Sequence, residues 1–404
     1  VCLAITEFSK GREIFRKGIN QNEVLSNDDI FPDGISKIEQ EEDTKAAPCV
    51  EDDVVHDQYG RQCQCENGKQ KCCRIRKEFT SMTNEERVRY IETVLTASTD
   101  PAYKIEYEDL LLLHRTLFCE DIHKPDIFLP WHRWFVLQYE DLLRRVNCNV
   151  TIPYWDWSAV AADPWSSSMW NSGNDSFGGD GDPNADDCVK DGPFRDPLWS
   201  YPSGKERTCL KRSFQENRYE DHEGEPIPIV PGTEVIDDIM ELEASNMTEF
   251  EERLRWAHDS VHCAFGNTST MCNTVAAYAP EFFLHHSFID KLWWDWQKKG
   301  EEYMYNKFFV DQTEKMTFTG YYPREFLNLR EMPSVAGDEC AAYEEKIVLN
   351  VQATWQTGFL PLPPISISAI KLFGAKISDV IRIRQDLERR IAARRARSQI
   401  KTSP

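Results

Sequence analysis

Seven histidines in two segments constrain this chain more than any other feature. The first segment, HRTLFCEDIHKPDIFLPWHRWFVLQYEDLL, carries His114, His123 and His132. The second runs from RWAHDSVHCAFG, with His258 and His262, to PEFFLHHSFIDKLWWDW, with His285 and His286. Imidazole is a borderline-soft ligand suited to copper and zinc, and a set able to supply six of them implies two metal ions. His258 and His262 stand four apart on an expected helix, so their rings project from one face about 6 Å apart along the axis. Neighbours on a helix diverge by about 100°. Only one of His285 and His286 can therefore face the ion served by His258 and His262, and the other lies behind the ligands or packs. A solitary buried histidine is usually a satisfied core residue, but a set gathered on four expected helices is not explained that way. His56 and His222 lie in polar loops and receive no role.

Helical periodicity surrounds these histidines. FTSMTNEERVRYIETVL combines a capping-box signature, Thr83 with Glu86, with an apolar face of Val88, Ile91, Val94 and Leu95. Further helices are expected over Tyr107 to Phe118, Trp131 to Val146, Met247 to Phe265 and Pro280 to Lys299. Pro125 and Pro130 make the interval before His132 a loop, which puts His132 in the first turn of its helix. Asp290, four residues after His286, is placed to anchor that last helix by hydrogen bonding. NVTIPYWDWS reads as a short extended run, and residues 160–235, rich in Gly, Pro, Asp and Ser, as a long irregular excursion. KIVLNVQATWQTG alternates like a strand until LPLPP breaks it. The end, AKISDVIRIRQDLERRIAARRAR, is a basic helix with Ile377, Val380, Ile381, Leu387 and Ile391 at helical spacing. Such a helix either binds an acidic surface or membrane headgroups or packs against its own acidic domain, the second being favoured. The chain thus divides into an acidic arm (1–48), a cysteine-rich module (49–77), a histidine-bearing domain (78–345) and a C-terminal extension (346–404).

Thirteen cysteines point to an oxidising compartment. Cys49, Cys63, Cys65, Cys72 and Cys73 crowd a stretch too short to bury a core, so disulfides are expected to hold it, with Cys2 completing three bridges. The absence of a C-x-x-C pair disfavours zinc there. Cys188 and Cys209 are placed to clamp the excursion. Four N-x-S/T sequons, at Asn149, Asn174, Asn246 and Asn267, agree with passage through the secretory lumen. The start at Val1 lacks a charged or long apolar region and reads as a mature form with its signal removed. No run approaches the roughly 18 apolar residues of a membrane span. A net charge of -21 argues against nucleic acid, whose phosphates need clustered Lys and Arg.

FLPWHR together with IPYWDW, GPF at Gly192 to Phe194, H-x-x-x-H and FLHHSFID resembles the tyrosinase, catechol oxidase and molluscan haemocyanin family of type-3 copper proteins. The resemblance covers roughly residues 78–345 and is similar to an animal tyrosinase-like protein with an N-terminal cysteine-rich module. It implies a mainly α fold, a four-helix bundle holding a dinuclear copper site, with long irregular loops and a small disulfide-rich N-terminal module. Carried over by position, His114, His123 and His132 resemble the copper A ligands and His258, His262 and His286 those of copper B. His285 is then the member behind the ligands. The implied activity is oxidation of o-diphenols, and of monophenols as a further class, to o-quinones with O2. Partners would be molecular oxygen and phenolic small molecules or tyrosine side chains, in pigment formation or extracellular protein cross-linking. Two alternatives share the site: a haemocyanin-like oxygen-binding protein, disfavoured by the single copper domain with a short tail, and a catalytically weak extracellular matrix protein.

Three departures from the family pattern bear on activity. Ala279-Pro280 stands where Asp-Pro is common. Asp259 follows the first copper B histidine, where efficient phenol hydroxylators often carry Asn, and Arg255 holds the position of the usual partner Glu, with Glu251 and Glu252 close by. Asp259 is expected to act as a base or orient substrate, or, the favoured reading, to pair with an arginine, which places diphenol oxidation ahead of monophenol hydroxylation. Finally, Asp121 lies two before His123, so the thioether some relatives carry is not expected. Cys119 should form a disulfide instead, as should Cys263 with Cys272. An odd cysteine total leaves one thiol unpaired or joined to another chain.

Overall fold

The computed structural model describes residues 50, 54–56, 62–66, 69–119, 122–216, 228–333, 340–344, 362–363 and 367–402. The capping box opens the first helix: Thr83 accepts from the Glu86 N–H at 3.2 Å, Glu86 accepts from the Thr83 N–H at 2.9 Å, and α1 runs over Asn84–Thr99. Next come α2 (Lys104–Leu117) and α3 (Phe128–Val146). Helix α3 starts three residues before the expected Trp131. Pro130 sits in its first turn, where a missing backbone N–H costs nothing because no intrahelical acceptor exists there. His132 consequently lies in the second turn, not the first. After the excursion follow α4 (Thr233–Met240), α5 (Met247–Ala264), α6 (Phe282–Gln297) and the short α7 (Glu301–Met304) and α8 (Lys307–Val310).

Helices α2, α3, α5 and α6 form the bundle. Helix α3 packs on α6 and on α2, α5 packs on α6, and α1 covers α2 and α3 from outside. Trp131, Phe135, Tyr139, Phe282, Phe283, Trp293 and Trp296 are buried between them, and the rings of Tyr139 and Phe283 stack with centroids 3.4 Å apart. The excursion is irregular yet well filled. It contains two small hairpins, β4 (Gly181–Asp182) with β5 (Cys188–Val189) and β6 (Tyr201–Ser203) with β7 (Glu206–Thr208), and buries Trp165, Trp170, Phe177, Phe194 and Trp199. The expected Cys188–Cys209 disulfide clamps it. Gly192 of the GPF triplet has φ +69, and a Cβ there would lie 2.6 Å from the Cα of Gly178, so only glycine fits that crossing.

A four-stranded sheet joins the ends of the domain. Strands β1 (Val54–His56), β2 (Gln62–Glu66) and β3 (Lys69–Arg76) form an antiparallel meander, and β8 (Cys340–Tyr343) pairs in parallel with β3. A Cys73–Cys340 disulfide locks that pairing. Cys73 therefore bonds far outside the cysteine-rich stretch, not within it as expected, and the partners proposed through Cys2 and Cys49 lie outside the described residues. Cys263–Cys272 forms as expected, Cys119 is disulfide-bonded, and Cys148 is a free, exposed thiol.

On β3, Arg74 and Arg76 are both buried against the bundle. Arg76 donates to both carboxylate oxygens of Glu140 on α3 (3.2 and 2.9 Å) and to Asp290 on α6 (3.1 Å). Arg133 of α3 and Tyr343 of β8 also donate to Asp290. The anchoring anticipated for Asp290 is thus a buried ionic network tying the sheet to two bundle helices.

The strand-like stretch KIVLNVQATWQTG lies outside the described residues. A short helix not anticipated from sequence, α9 (Ile367–Leu372), precedes the basic helix α10 (Ile377–Thr402). Helix α9 packs on α5, and α10 packs on α4 and α5. Ile383, Leu387 and Ile391 are buried along α10, each worth about 1.5–3 kcal/mol. The ion pairs Arg382–Glu252 (2.8 Å) and Arg394–Glu241 (2.6 Å) are partly exposed, and such pairs contribute about 0–1 kcal/mol each, whereas Arg390 meets the buried Asp238 (2.9 Å) and Asp386 meets the buried Arg253. The apolar stripe and a partly buried charge network thus fasten the helix together. Of the two readings of the basic tail, packing against its own acidic domain is the one found. No helix among the described residues is long and apolar enough to cross a membrane.

Candidate metal centre

The bundle brings all seven histidines into one cluster. His114 comes from α2, His123 from the turn after it, His132 from α3, His258 and His262 from α5, and His285 and His286 from α6. They fall into two groups with ligand-capable atoms within 4.8 Å of one another: His114, His123 and His132, and His258, His262, His285 and His286. The groups face each other, with the rings of His132 and His286 stacked 4.6 Å apart and those of His123 and His258 6.1 Å apart. All are buried except His123, which keeps some exposure.

Hydrogen bonding assigns the tautomers. The Nδ1–H of His132 donates to the Phe128 carbonyl at 2.8 Å, that of His123 to the Phe118 carbonyl at 3.1 Å, and that of His262 to the Met271 carbonyl at 2.9 Å. His258 Nδ1 lies 2.8 Å from Asp259 Oδ1. The three bonds to carbonyls fix the proton on Nδ1 of His123, His132 and His262 and leave their Nε2 lone pairs free, the usual support for a metal-binding histidine. The Nε2 atoms of His258, His262 and His286 then meet at 2.9, 3.2 and 3.2 Å. Nitrogens at about 2 Å from one ion stand roughly 3 Å apart in tetrahedral geometry, so a cation fits this spacing. In the other group the Nε2 atoms of His132 and His114 are buried with no partner, a costly state unless a metal satisfies them. The donor set, neutral imidazoles only, suits copper.

His285 differs. The Trp157 indole N–H donates to its Nδ1 at 3.1 Å. Indole can only donate, so Nδ1 accepts and the proton sits on Nε2, where it blocks coordination. His285 instead stacks on His258, centroids 5.1 Å apart. The two paired histidines are thus distinguished by a residue 128 positions away.

Burial keeps the imidazoles neutral. It is the leading cause pulling the His123 pKa down to about 4 and that of His262 to about 3, partly opposed in both by the carbonyl bonds at Nδ1. His114, His132, His258, His285 and His286 are held well below the usual histidine range, again chiefly by burial and then by their neighbours' charge. Ligands so held need no deprotonation at neutral pH.

Asp259 is buried beside this group, and desolvation pushes its carboxyl well above the ordinary carboxylate range, with Arg255 opposing and Glu251 adding. Its hydrogen bond goes to His258. The expected arginine, Arg255, donates instead to Glu251 at 2.8 Å and reaches Asp259 only through charge.

Several supporting residues were not singled out from sequence. Trp157 lies inside the quoted IPYWDW run, which signalled it without giving a role. Phe282 stacks on His286 (4.0 Å), and Phe128 packs against His132 and His258 (4.9 Å each). Glu281, next to the unusual Ala279-Pro280, holds a buried two-bond pair with Arg212 at the start of α6, so the helix start keeps an acid despite the missing Asp. Phe373, from beyond α9, lies over the histidines with no sequence signal at all.

Comparison with known proteins agrees with this geometry. The family description "Common central domain of tyrosinase" matches residues 104–299, which contain every clustered histidine. The chain is 30% identical over 247 residues to the tyrosinase of Streptomyces antibioticus, covering 56% of this chain and 83% of that one. It is 28% identical over 294 residues to tyrosinase ustQ of Aspergillus flavus, covering 67% and 79%. A polyphenol oxidase variant from Thermothelomyces thermophila superposes with a TM-score of 0.51 at 17% identity, over 68% of this chain and 89% of that one, a likeness of fold. With two facing groups of buried imidazoles on a four-helix bundle, the chain belongs to the tyrosinase family of oxidoreductases, whose cofactor is a dinuclear copper centre.

Proposed function

We propose that this chain is a secreted oxidase of phenols that converts o-diphenols to o-quinones with O2. His114, His123 and His132 would hold one copper and His258, His262 and His286 the other. The observation that carries the reading is the pair of facing histidine groups, in which backbone carbonyls anchor Nδ1 of His123, His132 and His262 while the Nε2 atoms of His258, His262 and His286 converge. Copper held by these histidines would supply the redox chemistry, and the overall reaction balances as two catechols and one O2 giving two o-quinones and two waters.

The protein's own part is positional. Carbonyls of Phe118, Phe128 and Met271 hold three imidazoles in place, and Asp259 orients His258. With one carboxylate oxygen engaged by a histidine, Asp259 serves as an orienting group more readily than as a base, which favours diphenols over monophenols. Phe128, Phe135 and Phe282 wall the histidines and keep water from them.

Secretion is supported by disulfides in the described residues and by exposed sequon residues Asn149, Asn174 and Asn246. Within that setting the product quinones suit pigment formation or cross-linking of extracellular protein, in an animal-type chain divided into arm, cysteine-rich module, copper domain and extension as set out above. A second reading, reversible oxygen binding with little turnover, is favoured by one observation, the Phe373 ring lying over the site.

Oxygen uptake by the copper-loaded protein given catechol tests the choice. Uptake with quinone formation is the expected result. Two bound coppers with no uptake would move the assignment to an oxygen-binding or matrix role.

A further inference from the structure

His262 takes its Nδ1 anchor from farther along the chain than the other histidines held by carbonyls. The Phe128 carbonyl that accepts from His132 lies four residues earlier, at the start of the same helix. The Phe118 carbonyl that accepts from His123 lies five residues earlier, at the end of α2. Both acceptors are placed by the backbone that carries the histidine itself. The Met271 carbonyl lies nine residues after His262, beyond the end of α5 and on an irregular loop. Helical geometry does not bring it back.

A covalent link runs beside that hydrogen bond in the same register. Cys263 follows His262, Cys272 follows Met271, and the two cysteines are joined as a disulfide with Cα atoms 4.5 Å apart. Each member of the hydrogen-bonded pair thus has a cross-linked neighbour one residue on. Closing the loop covalently removes the entropy an open segment would gain by releasing the carbonyl. Inside the loop, the buried Ser269 hydroxyl accepts from the Cys272 N–H at 3.1 Å, and the Ser269 N–H donates to the Gly266 carbonyl at 3.1 Å. Outside it, the Thr270 N–H donates to the Lys211 carbonyl, and the Lys211 N–H to the Thr270 hydroxyl, each at 3.0 Å. These bonds shape the loop and tie it to the excursion. The disulfide ties its far end to the helix that carries His262. Both cysteines are buried in an apolar cluster with Phe118, Ala369 and Leu372, and Met271 is buried as well.

We propose that the Cys263–Cys272 disulfide is a positioning link for His262: it holds the Met271 carbonyl on Nδ1, and so keeps the proton there and Nε2 open to metal. The consequence for metal rests on the reading of His262 as a copper ligand; the consequence for the proton does not. The test replaces both cysteines in the full chain, Cys263→Ala with Cys272→Ala. The metal-free protein is read first, by nitrogen NMR of isotope-labelled histidine, which reports the ring nitrogen that carries the proton. His262 in the parent should be protonated at Nδ1. In the double variant both tautomers should appear, while His132, anchored inside its own helix, stays protonated at Nδ1. Circular dichroism checks that the bundle is retained. If the alanine pair does not fold, Cys263→Ala with Cys272→Val, which refills the apolar cluster, takes its place.

An unchanged His262 tautomer in the folded variant would overturn the proposal. So would an equal change at His132, or failure of both variants to fold, since either would make the link a general brace of the bundle. Copper is then titrated in against a chelator. One of the two ions should bind about 10–100-fold more weakly than in the parent, the usual cost of losing a bond that orients a metal-binding histidine, and the other as before. Equal weakening of both ions would overturn the local role. A shifted tautomer with both ions bound as tightly as in the parent would leave the positioning link standing and remove His262 from the ligands.

Discussion

At the scale of single residues, the side that each imidazole turns inward decides the site. His262 is the clearest case. Its Nδ1–H is spent on the Met271 carbonyl, and its Nε2 lies 2.9 Å from His258 Nε2 and 3.2 Å from His286 Nε2. Replacing it by alanine removes one of three converging donors and leaves the His114 group untouched. His262→Ala should bind one copper where the parent binds two, as counted by elemental analysis of dialysed protein; two coppers in the variant would refute the ligand assignment. His285 makes the converse point. It stands next to a proposed ligand and is equally buried, yet the Trp157 indole fixes its proton on the wrong nitrogen for metal.

At the scale of elements, the copper-bearing helices are tied to the sheet by charge as well as by packing. Asp290 accepts from Arg76 on β3, Arg133 on α3 and Tyr343 on β8, all buried. Removing one partner of such a network strands the others without solvent, at a cost of about 3–5 kcal/mol. Asp290→Ala should therefore lower the stability measured in denaturant by that amount. A loss below about 1 kcal/mol, typical of an exposed pair, would show that the network contributes little. Helix α1 offers a smaller effect of known cause: Thr83→Ala, which deletes the capping hydroxyl, should cost about 1 kcal/mol.

At the scale of the whole molecule, burying so many imidazoles links stability to pH. In the metal-free protein, His123 and His262 titrate at about 4 and about 3 when folded, against the ordinary value of 6.5. The unfolded chain therefore takes up protons first as pH falls below 6.5, and the folded state loses ground. Stability is fully present above about pH 6.5 and declines as pH drops toward 4 and then 3, each such histidine contributing at most about 1.4 kcal/mol per pH unit inside its window. Denaturation midpoints of metal-free protein should fall between about pH 7 and about pH 5. Equal midpoints would mean that the cluster is hydrated rather than buried.

Much of this was legible in the sequence because it is local. Apolar periodicity placed α1, α2, α3, α5 and α6 to within a few residues, the four-residue spacing of His258 and His262 put both rings on one face of α5, and imidazole chemistry named the class of metal. Those inferences need only the geometry of one helix and the softness of one ligand.

The rest depends on contacts between residues far apart in the chain, which no periodicity encodes. The Trp157 indole donates to His285 and so sets it apart from His286, and the register of β8 on β3 sent Cys73 to Cys340. The position of Phe373 is the extreme case. Nothing around it in sequence marks it, and only the docking of α9 and α10 on the bundle carries its ring to the histidines. Metal class and helices were thus determined by local pattern alone, whereas which atoms face the metal, and what stands in front of them, were decided only when the chain packed.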